Sequence, residues 1–458
     1  MHKAFLFGLL LSLFSLPAFA ANPNFIIIFN DDQGYQDLSC FGSPNINTPN
    51  IDALATGGMR FTDFYSAYCV CSASRASLLT GSYQPRISMR GVLKPNSDVG
   101  LHPDEITIAD MLKTKNYATA MVGKWHVGDH PQTLPAAQGF DTYLTLTYSN
   151  DMARIEGWGN EPNDLDKVWA EKKYDIYQNR LVQDGQTIEA PVNQTTLTDR
   201  YTDTALNFIT KNKDKPFFLY LANSMPHVPL FVSDDRYDPD PTQAYKLTIE
   251  HIDSQVGRIM KKLDQLNLAE NTFIIYTSDN GPGLNKDHHG GSALPLRDGK
   301  HTTYEGGMRV PTVMRWPARI KPGQTCQQVA GTIDLLPTLA QIVGAKLPAS
   351  RPIDGRSITA LLDNPKAPSA HDTTGYYYYR NSKLEAIRLG DWKLRLKNPK
   401  QPELYNLRAD IAESQNLAAT EPATLQRLAK HAAAYDADLK ANTRPAWSDP
   451  NAKPKTKK

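Results

Sequence analysis

The sequence predicts an α/β protein: a large, mostly parallel central sheet covered by helices, then a smaller C-terminal α+β domain with an antiparallel sheet. Three observations predict it. The run FIIIF at 25–29 is continuously apolar, as a strand buried on both faces must be. A helix-then-strand rhythm recurs along the chain, the pattern of parallel strands joined by helical crossovers. Beyond Asn364 the texture changes to short strands and tight turns.

Taken in order, FIIIF is broken by Asp31, Asp32 and Gly34. Residues 49–55 read as a helix capped by Asn50, and 60–65 as a strand. An amphipathic helix is expected at 107–113 and a strand at 118–122. The rhythm returns with a helix before the strand 217–222, and with a long helix before the strand 273–277. Residues 157–198 are polar and poorly periodic, which suggests an insertion over the site or a long surface excursion. NPKAPSAHDTTG reads as a linker, and YYYYRNSKLEAIRLGDWKLRL with its Gly390-Asp391 turn as antiparallel strands. The expected organisation is a leader at 1–20, a large domain at 21–364 and a small domain at 365–458 with a basic tail.

The leader has Lys3, an apolar run at 4–16 and Ala18-Phe19-Ala20 before Ala21. This is the pattern of a secretory signal peptide, and the run is too short to span a membrane. A periplasmic or secreted protein without a membrane span is expected. The 50 basic and 48 acidic residues nearly cancel, which leaves no field to hold nucleic acid. The four cysteines are Cys40, Cys69, Cys71 and Cys326, with no C-x-x-C pair to suggest structural zinc. Cys69 and Cys71 are too close along an extended chain to bond each other easily. One disulfide among Cys40, Cys69 and Cys326 is open, with no sequence basis for choosing it.

Asp31 and Asp32, Lys124 and His126, His227, and Asp279 with Asn280 each follow the C-terminal end of an expected strand. That edge of an open parallel sheet is where ligands bind. Adjacent carboxylates repel unless a cation or water screens them, and oxygen-only ligands suit a hard ion. A lone Asp-Asp is commonly a solvated turn; paired with SDNG on a parallel strand it becomes a candidate metal site. Arg75, Lys124 and Lys300 are widely spaced, and any one alone reads as a surface cation. With His126, His227 and a metal they describe a pocket for a tetrahedral oxyanion.

CVCSASRASLLTG, residues 69–81, places Cys71 at or just before a short helix closed by Gly81. Backbone N–H groups at a helix start favour an anion, so a thiolate nucleophile is one reading. A soft thiolate beside a hard cation is a chemical mismatch, however, and the residues alone leave the nucleophile open.

CSASRASLLTG resembles the activation motif of the formylglycine-dependent sulfatases. NDDQGYQDLSCFGSPNINTPNIDALA, MVGKWHVG, SDNGP, LRDGKHTTYEGGMRVP and ELYNLRADIAESQNLA resemble that family's other blocks, in order. The resemblance, closest to the arylsulfatase A-like enzymes, implies an alkaline-phosphatase-like sandwich. It also implies that Cys71 is converted to formylglycine, whose hydrate supplies an oxygen nucleophile. Asp31, Asp32, Asp279 and Asn280 would bind one calcium ion together with the converted Cys71. Arg75 and Lys124 would steady the hydrated aldehyde, and Lys300 the sulfate ester. His227 would protonate the leaving alcohol, and His126 would deprotonate the second hydroxyl to expel sulfate. Ala73 stands where proline is commoner, which bears on whether a formylglycine-generating or a radical maturation enzyme acts. Cys69 lies outside the motif and is expected to be a buried thiol or a disulfide partner.

The blocks YSNDM and GKHTTYEGG look closer to arylsulfatase A and galactose- or galactosamine-sulfate enzymes than to choline sulfatases. Ser149 is therefore a candidate substrate contact or a turn serine, and His288 and His289 either line the pocket or sit on a loop. The expected substrate is a sulfated polysaccharide or oligosaccharide, such as a sulfated galactan or a glycosaminoglycan. Two alternatives are a phosphonate monoester or phosphodiester hydrolase, and a non-catalytic carbohydrate-binding protein on the same scaffold.

Overall fold

A computed structural model describes residues 22–155 and 162–452. The leader and the last residues of the basic tail lie outside the described residues. The apolar run forms the strand Asn24–Asn30, buried throughout. Alternate side chains enter opposite layers: Phe25, Ile27 and Phe29 join one core, Ile26 and Ile28 the other. A strand buried on both faces therefore needs no polar alternation.

Ten strands make the central sheet. Their order is Gln324–Cys326, Met59–Phe61, Thr312–Arg315, Thr272–Ser278, Asn24–Asn30, Phe217–Ala222, Ala118–Lys124, Thr142–Leu146, Leu181–Gln183 and Gln186–Glu189. The strands from Thr272–Ser278 to Thr142–Leu146 run parallel, and antiparallel pairings flank them. Helices Leu197–Lys211 and Ala244–Gln265 cover one face through residues such as Tyr201, Phe208, Ile252 and Val256. Cys71–Thr80, Ile108–Lys113 and Leu335–Ile342 cover the other.

Register aligns the central strand ends. Asn30 pairs with Ser278, Phe29 with Ala222, and Gly123 with Ala222. The chain leaves four strands at one level, which brings their following residues to one rim. Gly123, at φ 110°, fits because a Cβ there would collide with the Ala222 carbonyl.

Three local expectations change. Asn50 does not cap its helix: Pro49–Thr56 starts after Thr48, and Asp253 accepts from Ile51 N (2.8 Å) and Asn50 Nδ2 (2.7 Å). The 157–198 segment is more than a surface excursion: Leu181–Gln183 and Gln186–Glu189 extend the central sheet as a hairpin. Its Asp184-Gly185 turn takes positive φ at both residues, 46° and 89°. Finally, Cys40, Cys69, Cys71 and Cys326 are all free, so no disulfide forms among them. Cys69 is a buried thiol packed with Tyr65 and Tyr83 in the core beneath the small sheet.

The small sheet, Tyr376–Arg380, Lys383–Leu389, Trp392–Arg395 and Glu403–Asn406, is wholly antiparallel. Lys393 docks it on the large sheet's layers through a buried ion pair with Glu305 (2.8 Å), and it also pairs with Glu413, which follows the small sheet in the chain (2.9 Å). Among the described residues no helix is long and apolar enough to cross a membrane.

Candidate active site

Asp31 and Asp32 leave Asn24–Asn30, and Asp279 and Asn280 leave Thr272–Ser278. The two ends are stitched together: Asp32 N donates to Asp279 Oδ1 (3.2 Å) and Gln33 N to Ser278 Oγ (3.0 Å). Ligand oxygens of Asp31, Asp32 and Asp279 all lie within 4.8 Å of one another. Asn280 Nδ2 donates to Asp32 Oδ1 (2.7 Å) and to the Gly281 carbonyl (2.8 Å).

Cations close around this cluster. Arg75 comes from the fully buried helix Cys71–Thr80, which ends at Gly81 with φ 62°. Its guanidinium donates to Asp279 Oδ2 (2.9 and 3.2 Å) and to the Lys124 carbonyl (2.9 Å), and lies 3.7 Å from Asp31. Lys124 Nζ is paired with Asp31 and donates to Ser149 Oγ (3.0 Å). Lys300 Nζ lies 2.7 Å from Asp32 Oδ2, and His227 Nε2 lies 3.7 Å from the same oxygen.

Burial pushes the Asp31 carboxyl up, but Lys124, His227 and Arg75 together hold it well below the usual carboxylate range. Asp279 goes the other way, raised to about 8 by burial and by the Asp31 charge. Asp31 Oδ1 and Asn280 Oδ1 are buried without a hydrogen-bond partner. Buried polar atoms are normally paired, so these two oxygens point to a missing electrophile. An all-oxygen set with two orphaned acceptors fits a hard divalent cation.

The histidines flank the cluster. His126 Nε2 lies 3.0 Å from the Leu93 carbonyl, which can only accept, so Nε2 carries the proton and Nδ1 is left unprotonated and unpartnered. Burial, reinforced by Lys124, keeps this imidazole neutral. His227 Nδ1 lies 2.5 Å from the Val228 carbonyl, which fixes that proton and leaves Nε2 toward Asp32.

A cavity of about 250 Å³ opens above, lined by Asp32, Cys71, His126, Ser149, His227 and Lys300 among others. Asp31, Arg75, Lys124, Asp279 and Asn280 form its fully buried floor. Asp31, Asp32, Cys71, Arg75, Lys124, His126, Ser149, His227, Asp279, Asn280 and Lys300 thus lie in one constellation. Burial raises the Cys71 thiol to about 11, with Lys124 opposing, which does not favour the activated-thiolate reading. His288 and His289 do not line the cavity; both turn to Asp166 instead.

Sequence reasoning missed Asp151, Met152, Asn285, Lys286 and His301, which complete the cavity wall. These come from irregular segments with no periodicity to place them. His301, with φ 72° and its N–H on the Cys69 carbonyl (3.1 Å), follows Lys300 directly and was the most accessible of these to inference.

Comparison with known proteins agrees with this picture. A family model described as sulfatase matches residues 23–345, and one described as N-sulphoglucosamine sulphohydrolase, C-terminal, matches 298–434. Arylsulfatase A of Homo sapiens is 39% identical over 362 residues, covering 78% of this chain and 70% of that protein. N-acetylgalactosamine-6-sulfatase of Homo sapiens is 34% identical over 391 residues, covering 81% and 71%. The solved structure of Ps i-CgsB in complex with k-i-k-neocarrahexaose has a TM-score of 0.80 at 31% identity, covering 92% of this chain and 94% of that one.

Proposed function

The chain belongs to the sulfatase family of sulfuric ester hydrolases, with its alkaline-phosphatase-like fold, and from that premise we propose that it removes sulfate from a sulfated polysaccharide or oligosaccharide, using a formylglycine made from Cys71 and one calcium ion. The observation that carries the mechanism is the position of Cys71, which lines the cavity directly above a cluster of hard oxygen ligands. A thiol held neutral at that point is poorly suited to attack, whereas an aldehyde hydrate presents oxygen to the same cations.

Asp31, Asp32, Asp279 and Asn280 would hold the calcium, which supplies positive charge to the sulfate oxygens and the converted side chain. Arg75, which donates to Asp279, would orient that carboxylate and so steady the hydrated aldehyde indirectly, and Lys124, paired with Asp31, would donate to the hydrate. Lys300 would bind the sulfate ester, and Ser149, already held by Lys124, would face the sugar. The hydrate would supply an oxygen nucleophile toward sulfur. His227 Nε2, facing Asp32 and the cavity, would give the departing alkoxide a proton that the one lost by the attacking hydroxyl replaces, so that no net proton is gained or lost. The unprotonated Nδ1 of His126 would serve as the base for the second hydroxyl, whose proton it would take as sulfate departs and the aldehyde is restored.

The carbohydrate reading, of galactose or galactosamine type, is supported by N-acetylgalactosamine-6-sulfatase and the neocarrahexaose complex. Such substrates lie outside the cell, which suits the leader and a periplasmic or secreted location. A formylglycine-generating or radical maturation enzyme is the implied partner. A panel of defined sulfated oligosaccharides, read by free sulfate, tests the activity, with phosphate and phosphonate esters alongside. Faster phosphoryl turnover would sink the sulfatase chemistry. Mass spectrometry of the Cys71 peptide tests the nucleophile: conversion exchanges one sulfur and two hydrogens for one oxygen. Unmodified cysteine in active enzyme would refute it.

A further inference from the structure

We propose that Asp166, His288 and His289 form a zinc site, separate from the carboxylate cluster beneath the cavity. His288 Nε2 and His289 Nε2 each lie 2.7 Å from the same atom, Asp166 Oδ1. Their rings are 4.5 Å apart. Neighbouring residues in extended chain face opposite ways, yet the turn Leu284–His289 brings these two imidazoles onto one point. His289 is 1% exposed and has no partner at Nδ1, so Asp166 is its sole recorded polar anchor among the described residues.

Two imidazole nitrogens and one carboxylate oxygen make a ligand set for zinc, unlike the all-oxygen cluster that suits calcium. Zinc–ligand distances of about 2.0–2.1 Å place tetrahedral ligand atoms about 3.3 Å apart, so each 2.7 Å separation need open by only about 0.6 Å. Asp166 and His288 have that freedom, with side chains 38% and 32% exposed, while His289 is fixed. The open side leaves an entry path and a fourth position for water.

Asp166 is carried on Pro162–Ala170, whose Leu165, Val168 and Trp169 are buried in the core. The turn that carries the histidines also supplies Asn285 and Lys286 to the cavity wall. Zinc would pin helix to turn and fix that wall.

The test titrates zinc into tag-free, full-length protein in excess calcium, by calorimetry with metal analysis, and uses cobalt as an optical probe. One zinc per chain and tetrahedral cobalt bands are expected. His288→Asn and Asp166→Asn, both at half-exposed positions, should weaken zinc binding by more than about 100-fold. Their melting temperatures in calcium alone should match the parent. Equal zinc uptake by parent and variants, or none at micromolar zinc, would overturn the assignment.

Discussion

Replacing Lys393 by Met probes how the small sheet grips the site. Lys393, Glu305 and Glu413 are fully buried, and the ammonium bridges both carboxylates at 2.8 and 2.9 Å. Met keeps most of the side-chain volume and removes the charge, so the loss is electrostatic. Removing one partner of a buried ion pair costs about 3–5 kcal/mol, because the remaining charge is stranded. Arg309 stays 3.4 Å from Glu305, which puts the expected loss near the lower end, about 3 kcal/mol. Urea unfolding followed by tryptophan fluorescence measures it. Adding Glu413→Gln should recover part of the loss, since burial already raises that carboxyl.

The sign with pH follows from Glu305. Burial alone would raise its pKa, but Lys393, Arg309 and Arg388 depress it from 4.5 to about 2. Its contribution is present above about 4.5 and lost as pH falls through 2, so parent and variant should converge on acidification. Glu413 also accepts from Glu305 N (2.7 Å), at the start of the helix Glu305–Met308 that follows Lys300. A raised KM with sulfate esters should accompany the stability loss. A variant as stable as the parent, or a gap that does not shrink in acid, would refute this reasoning.

Calcium at a thousand times its dissociation constant should stabilise the protein by about 4 kcal/mol, and Asp32→Ala should abolish the thermal shift. Unchanged melting on chelation would remove the metal from the site. His371 Nε2 contacts both oxygens of Asp334 (2.9 and 3.0 Å); burial opposes its charge, but Asp334 lifts its pKa above 6.5. Its contribution is complete below about pH 6.5 and lost as pH rises through the folded value, so His371→Asn should flatten the fall of melting temperature as pH rises above about 6.5. Gly123→Ala should cost more than about 1 kcal/mol, from positive φ and the collision with Ala222; soluble, fully stable protein would contradict that.

The central strands were legible because burial on both faces leaves an unmistakable apolar run, as at Phe25 to Phe29. The rim was legible because polar residues directly follow such runs. The helix expected at 107–113 was legible from its apolar periodicity; it starts one residue later, with Thr107 as its cap together with Asp110. The added hairpin was not, since Gln186–Glu189 is an exposed edge without alternation; only Asp184-Gly185 marked it. Asn50 misled because the helix start is capped by Asp253, about two hundred positions away. Nor could spacing tell that His288 and His289 face Asp166, which depends on a turn of irregular backbone.

The floor of the cavity hangs from strand ends locked in register, while Asp151, Met152, Asn285, Lys286 and His301 reach it from irregular connections. Mutational tolerance should split the same way. Loop exchange at the wall can retune which sulfate ester is accepted without retuning bond cleavage, whereas a single-residue slip in Thr272–Ser278 would disable cleavage for every substrate alike.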